Sequence, residues 1–332
     1  VVIAGHSAGE DRGSSITRLR LLSVDGLSSQ DVVKPPRWNP VTTPVFSPDG
    51  QWIAFVRAED YGDSLRVVRP DGSGERVVYA STGGAGSIER THGMQWVPGE
   101  VDRIVFTSHT SGSAYVISTQ DVSPTPEQIL SRTWWLGGVT ISPDFFPAVP
   151  GYQGAIAFPA PSINGDGSGP ALLSVAYLDD SDQGLQVDLS SLVQATTLTE
   201  GVATPAWSHD GLEIAFLNRN TTYPAAGNRL EVIPVIVGET EITLDEESVR
   251  TLYDSSLVDG YGAEHAVIHW PTWAPDDSFI VFCATVGVES RGGRAYDLFI
   301  ADSIGSGFVN LTNGSMRPIY VDWNPNFDFT QE

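Results

Sequence analysis

A short strand–turn–strand motif recurs along the chain and restricts what the chain can fold into. The clearest copy, residues 44–55, reads Pro-Val-Phe-Ser-Pro-Asp-Gly-Gln-Trp-Ile-Ala-Phe. Its Asp-Gly pair is typical of a tight turn, because Gly tolerates positive φ and Asp accepts hydrogen bonds from nearby backbone. Residues 205–216 and 271–282 repeat the motif closely, and looser copies lie at 94–98, 139–144 and 321–325. Six copies indicate a repeat protein.

Further strand-like segments follow each copy, so that one repeat is interpreted as four strands, A to D. The Asp-Gly turn joins strands A and B. Residues 115–117 are an example of strand C, and residues 128–130 are an example of strand D. Four-stranded units with a period of about 40–50 residues are typical of propeller blades. We therefore predict an all-β fold, a six-bladed β-propeller of four-stranded antiparallel blades.

The two ends of the chain are predicted to share the sixth blade. The last copy of the motif is followed by too few residues to complete a blade, whereas residues 2–33 contain segments that match strands B, C and D. A ring closed by a C-terminal strand A and N-terminal strands B–D leaves no exposed sheet edge at its ends. The predicted limits of the single domain, residues 1–332, are 1–34 plus 317–332 for blade six and approximately 41–80, 91–131, 136–199, 202–253 and 269–313 for blades one to five.

Composition excludes several classes of function. A chain of 332 residues that is 41% hydrophobic can bury a sizeable core. Its acidic net charge of -23 argues against binding to nucleic acid or to an anionic membrane surface. No segment approaches the roughly 18 apolar residues of a membrane-spanning helix, so we predict no direct membrane insertion. The single cysteine, Cys283, lies in an apolar strand and is expected to be buried and inert.

The repeats resemble one known family. Ser-Pro-Asp-Gly-x-x-Ile-Ala-Phe, a later strand that ends in Asp-Gly, and Asn310-Leu311-Thr312 before the next repeat are similar to the TolB-type six-bladed β-propellers with WD40-like repeats. The resemblance covers essentially the whole chain but only the propeller module, because TolB carries an additional α/β domain. It implies a bacterial protein outside the cytoplasm, whether periplasmic, cell-surface or secreted. Since the sequence opens on Val1, a leader, an anchor or an upstream domain is expected to have been removed.

The longest loops are predicted to lie on one face of the propeller. The B–C loops at 161–170, 219–228 and 287–295 and the D–A loop at 254–268 share that face in this topology, and long loops on a rigid scaffold often carry binding residues. We predict a non-catalytic propeller that binds another protein through this B–C/D–A face, also as a subunit of a larger assembly. The candidate binding residues are His92, Arg219, Tyr223, Tyr261, Glu264, His265, His269, Arg291 and Arg294.

Two alternative functions stay open at this point. His92 and His269 precede strand A in opposite blades, so a metal-dependent lyase or hydrolase at the channel mouth is one alternative. Oligogalacturonate lyases are similar propellers with metal-binding channel histidines, but their ligand set does not map onto this sequence. A carbohydrate-binding propeller is the other alternative, with sugars stacked on Trp38, Trp134 or Trp135. The sequence favours a non-enzyme and predicts no catalytic residue.

One short segment resembles part of a calcium-binding loop. Asn164, Asp166 and Ser168 place oxygen ligands at alternate positions before Gly169, as in the first half of an EF-hand loop. The twelfth position is Val175, where such a loop needs Glu, so an ordinary Gly-rich turn is favoured and weak Ca²⁺ binding is the alternative. We predict no cofactor, with Ca²⁺ at this segment as the one alternative.

Overall fold

The computed structural model contains six antiparallel sheets arranged as the blades of a six-bladed β-propeller, which confirms the predicted fold class. The inner strand of each sheet faces a central cavity. The described residues are 1–7, 18–23, 28–35, 39–81, 88, 93–108, 111–131, 138–143, 152, 154–161, 170–181, 184–198, 201–218, 228–238, 241–255, 267–288, 294–314 and 316–326.

The strands follow one another from the inner to the outer edge of each blade. Blades one and two consist of β4 Val41–Phe46, β5 Ile53–Glu59, β6 Gly62–Val68, β7 Arg76–Ser81, β8 Met94–Trp96, β9 Arg103–Ser108, β10 Ser113–Ser118 and β11 Glu127–Leu130. Blade three consists of β12 Thr140–Ile141, β13 Gly154–Ala160, β14 Leu172–Ser181 and β15 Gly184–Gln194. Blade five consists of β21 Ile268–Trp273, β22 Phe279–Val288, β23 Arg294–Asp302 and β24 Phe308–Asn310.

Blade four divides its outer position between two short strands. Its inner strands are β16 Val202–Trp207, β17 Glu213–Asn218 and β18 Arg229–Val237. The C-terminal end of β18 pairs with β19, Ile242–Leu244, and its N-terminal end pairs with β20, Arg250–Asp254. A short 3-10 helix at Glu246–Ser248 joins the two. Part of the connection between strands C and D of this blade therefore adds a strand to the sheet.

Blade six contains strands from both ends of the chain, as predicted. Its strands are β25 Met316–Asp322, β1 Val2–Ser7, β2 Arg18–Leu22 and β3 Ser29–Val33, in that order across the sheet. Ile3 lies opposite Val321 on one side and Arg20 on the other. This pairing closes the ring. The residue limits predicted for the six blades stay predictions.

The hydrophobic core lies between neighbouring blades. Among the described residues it divides into six clusters, each drawn from two adjacent blades, so every seam of the ring has one. At the closing seam, Val2 and Leu19 of blade six pack with Phe46 and Phe55 of blade one. Cys283 is buried at the seam between blades five and six, as predicted, and burial raises the pKa of its thiol.

The repeated turn motif is held by its own side chains. Ser47 Oγ accepts a hydrogen bond from Trp52 N at 2.9 Å, and Asp49 Oδ1 accepts one from Gln51 N at 3.0 Å. In blade four, Ser208 and Asp210 make the equivalent bonds. Gly50 adopts a φ of 65°, a conformation that favours glycine. The motif therefore stabilises the A–B turn.

Candidate functional site

The candidate site is the central cavity, which has a volume of about 420 Å³. Ligand pockets typically have volumes of roughly 300–1,000 Å³ and mainly apolar walls. We call the end where the inner strands begin the loop mouth, and the end where they finish the turn mouth. The wall is mainly aromatic and aliphatic, and it includes Met94, Trp96, Trp207, Trp270, Trp273, Tyr320 and Trp323.

A backbone irregularity recurs at the loop mouth. The fourth residue before Ser47, or before its equivalent in the other blades, has positive φ in five of the six blades, with values of 49° at Thr43, 76° at Gly93, 86° at Gly138, 42° at Thr204 and 55° at Trp270. In blades one, four and five, the strand register shifts at the same place, which is the mark of a β-bulge. A bulky residue such as Trp270 rarely adopts this conformation.

Glycine is required in blades two and three because the two backbones meet there. A Cβ added to Gly93 would lie 2.6 Å from the Gly138 Cα and 2.9 Å from the Val139 N. No side chain fits between these backbones. The backbones of blades two and three consequently approach each other closely at this seam, whereas blades four and five carry side chains at the equivalent positions.

One ring of side chains connects the inner strands to one another. The ring position lies two residues before Ser47 or before its equivalent in the other blades. Its residues in blades one to six are Val45, Gln95, Thr140, Ala206, Thr272 and Asp322. Polar side chains at this position reach the next blade directly. Gln95 Oε1 accepts from Ile141 N at 2.8 Å, and Thr140 Oγ1 accepts from Trp207 N at 3.2 Å.

Where the ring position is apolar, a tryptophan of the next blade makes the connection instead. Trp96 Nε1 donates to Val45 O at 3.3 Å, and Trp273 Nε1 donates to Ala206 O at 2.9 Å. All six seams therefore carry a hydrogen bond near the cavity wall, because Asp322 provides the remaining two.

Asp322 joins blade six to both of its neighbours. Its Oδ2 accepts from Phe46 N of blade one at 2.7 Å, and its Oδ1 accepts from Thr272 Oγ1 of blade five at 3.0 Å. It is the only carboxylate among the described residues of the cavity wall. Burial raises its pKa to about 6, although the hydrogen bonds from Phe46 and Thr272 act in the opposite direction. The site therefore holds one carboxylate in largely apolar surroundings.

Aromatic side chains gather at the loop mouth on blades five and six. The rings of Trp270 and Tyr320 lie 4.9 Å apart between centroids, tilted by 32°. The ring of His269 lies 6.2 Å from that of Trp270 and 5.5 Å from that of Tyr296. This aromatic cluster, His269, Trp270, Tyr296 and Tyr320, comes from three strands of two blades, β21, β23 and β25.

A histidine and an aspartate meet at the turn mouth, where they join blades four and five. His209 Nδ1 lies 3.0 Å from Asp277 Oδ1. Asp277 also accepts from the backbone N of His209 at 2.7 Å and of Asp210 at 2.8 Å. Because the carboxylate binds the neighbouring turn through three contacts, the pair is explained as a connection between blades.

Of the predicted binding residues, the structure places His269 in the aromatic cluster. Arg294 begins β23, but its side chain lies outside the described part of the chain. The remaining predicted residues are also outside it: His92, Arg219, Tyr223, Tyr261, Glu264, His265 and Arg291, the calcium candidates Asn164, Asp166 and Ser168, and Trp38, Trp134 and Trp135. Those predictions, together with the enzyme and carbohydrate alternatives, stay predictions.

Sequence reasoning missed Trp270, Tyr296, Tyr320 and Asp322. Aligning the repeats would have given a signal, because Trp270 shares its position with Gly93 and Gly138 in other blades. Among the described residues, no group of three or more His, Cys, Asp or Glu is placed to hold a metal ion. None of the helices in those residues has the length and apolar character needed to span a bilayer.

Comparisons with known proteins agree with the fold. No protein-family model matches the chain, and no curated protein sequence matches it. Several solved structures match the chain. TolB from Acinetobacter baumannii superimposes with a TM-score of 0.56 at 14% identity, over 92% of this chain and 61% of that one. The chain thus spans less than two thirds of that protein.

Two further structures match over most of both chains. A putative TolB from Agrobacterium tumefaciens gives a TM-score of 0.55 at 16% identity, over 94% of this chain and 89% of the other. A chain of the nidogen/laminin complex gives a TM-score of 0.54 at 9% identity, over 93% of this chain and 91% of the other. At these identities the likeness concerns the fold, and the chain has the fold of the TolB-type six-bladed β-propellers.

Proposed function

We propose that this chain is a non-catalytic binding propeller that engages another protein through its B–C/D–A face, outside the cytoplasm. The aromatic cluster at the loop mouth is the observation that carries the proposal. Aromatic side chains provide much of the binding energy at protein interfaces, because they bury large areas at low entropic cost. The location rests on the resemblance of the repeats to TolB-type propellers.

The shape of the molecule supports this role. Each seam combines an apolar cluster with a hydrogen bond at the cavity wall, so the blades form a stiff support for the loops that connect them. The nidogen/laminin structure contains a propeller of similar fold in a protein complex. The partner proposed here is a protein, and the predicted carbohydrate partner becomes an outcome of the test.

Site-specific photo-crosslinking in the native host tests the face. A photoreactive phenylalanine analogue replaces Tyr296 or Tyr61, both at B–C ends of blades, and Val122 in a C–D turn on the opposite face is the control. Tyr61 is 91% exposed and Val122 is 97% exposed, so neither substitution disturbs packing. We expect protein adducts from positions 296 and 61. Adducts from position 122 alone, or glycan adducts without protein, would contradict the proposal.

A further inference from the structure

The inner strand of each blade ends its sheet, and its uncovered edge borders the central cavity. An uncovered edge presents unpaired backbone N–H and C=O groups. In this chain, side chains of neighbouring blades bond several of them. Gln95 bonds both the N and the O of Ile141, at 2.8 and 3.3 Å, and the carbonyls of Val45 and Ala206 accept from indole N–H groups. These backbone groups are therefore already satisfied within the protein.

Proline further reduces the number of hydrogen-bond donors in the cavity wall, because it has no backbone N–H. Seven prolines among the described residues line the cavity, and three of them directly follow the positive-φ residue of their blade. The wall consequently gives water few hydrogen-bond partners, and an apolar group displaces such water favourably. The seven are Pro44, Pro48, Pro98, Pro143, Pro205, Pro271 and Pro325.

Charged groups are scarce in the wall, although the chain has a net charge of -23. Its described residues include no lysine or arginine, and Asp322 is their one carboxylate. Asp322 already accepts from Phe46 N and Thr272 Oγ1, and His209 at the turn mouth is bound to Asp277. A charged group costs free energy in apolar surroundings unless an opposite charge and hydrogen bonds compensate it. The wall therefore favours an uncharged ligand.

We propose that the central cavity binds an uncharged, mainly apolar small molecule. The cavity volume of about 420 Å³ lies in the range of small-molecule pockets. Inside it, the ligand contacts the half-buried side chains of Val45 and Ala206, which belong to blades one and four, on opposite sides of the ring. The inference goes beyond the proposed function and does not depend on it, because the cavity is separate from the loops of the B–C/D–A face.

Benzophenone and two charged derivatives test the preference for an uncharged ligand on one ring system. Benzophenone has no charge, 4-benzoylbenzoate carries a carboxylate, and 4-benzoylbenzylammonium carries an ammonium group. Equilibrium dialysis against the full chain measures each dissociation constant. We expect benzophenone to bind at least about tenfold more tightly than either ion, because only the ions lose the hydration of a charge. Equal or tighter binding of either ion, or no saturable binding of benzophenone, would overturn the proposal.

Illumination then locates the bound benzophenone, because its excited ketone inserts into nearby C–H bonds. Digestion and mass spectrometry should find adducts in the inner strands, such as β4, β16 and β21. Diphenylmethane has two linked rings but no ketone, so an excess of it should reduce these adducts. Adducts confined to outer strands, or adducts that diphenylmethane leaves unchanged, would contradict binding in the cavity.

A pair of alanine variants tests the cavity wall. Ala206→Phe adds a ring at the cavity and should weaken benzophenone binding at least about tenfold, because it occupies the space of the ligand. Ala80→Phe makes the same change at an exposed position of β7 and should leave binding unchanged. Urea unfolding shows whether each variant folds. Unchanged binding in folded Ala206→Phe would contradict the site, and the positions of the adducts decide if this variant does not fold.

The same ring system in a peptide distinguishes a free ligand from a side chain of a partner. The peptide acetyl-Gly-Gly-X-Gly-Gly-amide, in which X is p-benzoylphenylalanine, is dialysed alongside benzophenone. We expect benzophenone to bind more tightly, because the peptide backbone would bring polar groups to an apolar wall. Tighter binding of the peptide would assign the cavity to a partner and overturn the proposal. Failure of the proposed function is distinguishable, because crosslinks from positions 61 and 296 need no added compound.

Discussion

Asp322 should make the closed ring more stable at mildly acidic pH. The carboxylate links blade six to blades one and five, and burial raises its pKa from 3.8 to about 6 in the folded chain. A carboxyl group with a raised folded pKa destabilises the fold once it is charged. Its stabilising contribution is therefore complete below pH 3.8 and is lost as the pH rises through 6. Asp322→Asn removes the titration and keeps the shape of the side chain.

The expected size follows from these two pKa values. Between pH 7.5 and pH 4.5 the folded Asp322 takes up its proton while the unfolded one stays largely charged. The free energy of unfolding of the wild type, relative to Asp322→Asn, should therefore increase by about 2 kcal/mol over this range. This is a large fraction of the stability of an ordinary domain.

Urea unfolding at half-unit pH steps, followed by tryptophan fluorescence, measures the difference. Asp302→Asn is the matched control, because Asp302 lies in an outer turn where the Ser306 side chain lowers its pKa. The free energy of unfolding of that control, relative to the wild type, should stay constant between pH 7.5 and 4.5. Because the charge of His209 acts to lower the pKa of Asp322, the comparison is repeated in a His209→Gln background.

A constant difference in the free energy of unfolding between the wild type and Asp322→Asn from pH 7.5 to pH 4.5 would refute the reasoning. So would a wild type that loses stability relative to the variant on acidification. Either result would mean that the hydrogen bonds from Phe46 and Thr272 outweigh burial, and that the carboxylate stays charged in the ring.

Three further predictions concern single sites. Trp273→Phe should lower the free energy of unfolding, measured by urea unfolding, by about 1 kcal/mol, because a partly buried carbonyl of blade four loses its indole donor. Gly93→Ala should destabilise the chain much more than Gly314→Ala: an added Cβ meets the Gly138 backbone at 2.6 Å in the first case and nothing within 4 Å in the second. Equal unfolding midpoints for the two would contradict the close approach. Cys283 should react with a thiol reagent such as Ellman's only after urea unfolding, because its thiol is buried; rapid reaction of the folded chain would show that blades five and six open.

The fold could be predicted because its signals are local. Ser47 and Asp49 bond to backbone within five residues, so the turn that they stabilise recurs wherever the short motif recurs. The split sixth blade followed from counting strands, and Ile3 does pair with Val321. The divided outer edge of blade four was not visible, because Ile242–Leu244 is too short to stand out from a polar connection.

The site was predictable only in part, because it depends on contacts between distant repeats. His269 was proposed from its predicted place before an inner strand, although it lies within β21, Ile268–Trp273. Tyr296 reaches it from the third strand of the same blade, and Tyr320 joins the cluster through Trp270 only once blades five and six are side by side. The conformation of Trp270 contradicts the local preference of tryptophan, so it results from tertiary structure and not from the sequence around it.

The hydrogen bonds at the seams have a consequence for the evolution of the molecule. The seams use several kinds of hydrogen bond: an indole from the following blade at Val45 and Ala206, an amide at Gln95, and a carboxylate at Asp322. Although the blades share one architecture, an exchange of two blades with different residues at the ring position would leave some of these groups without their present partners. Divergence at the boundaries therefore limits which repeats can be exchanged.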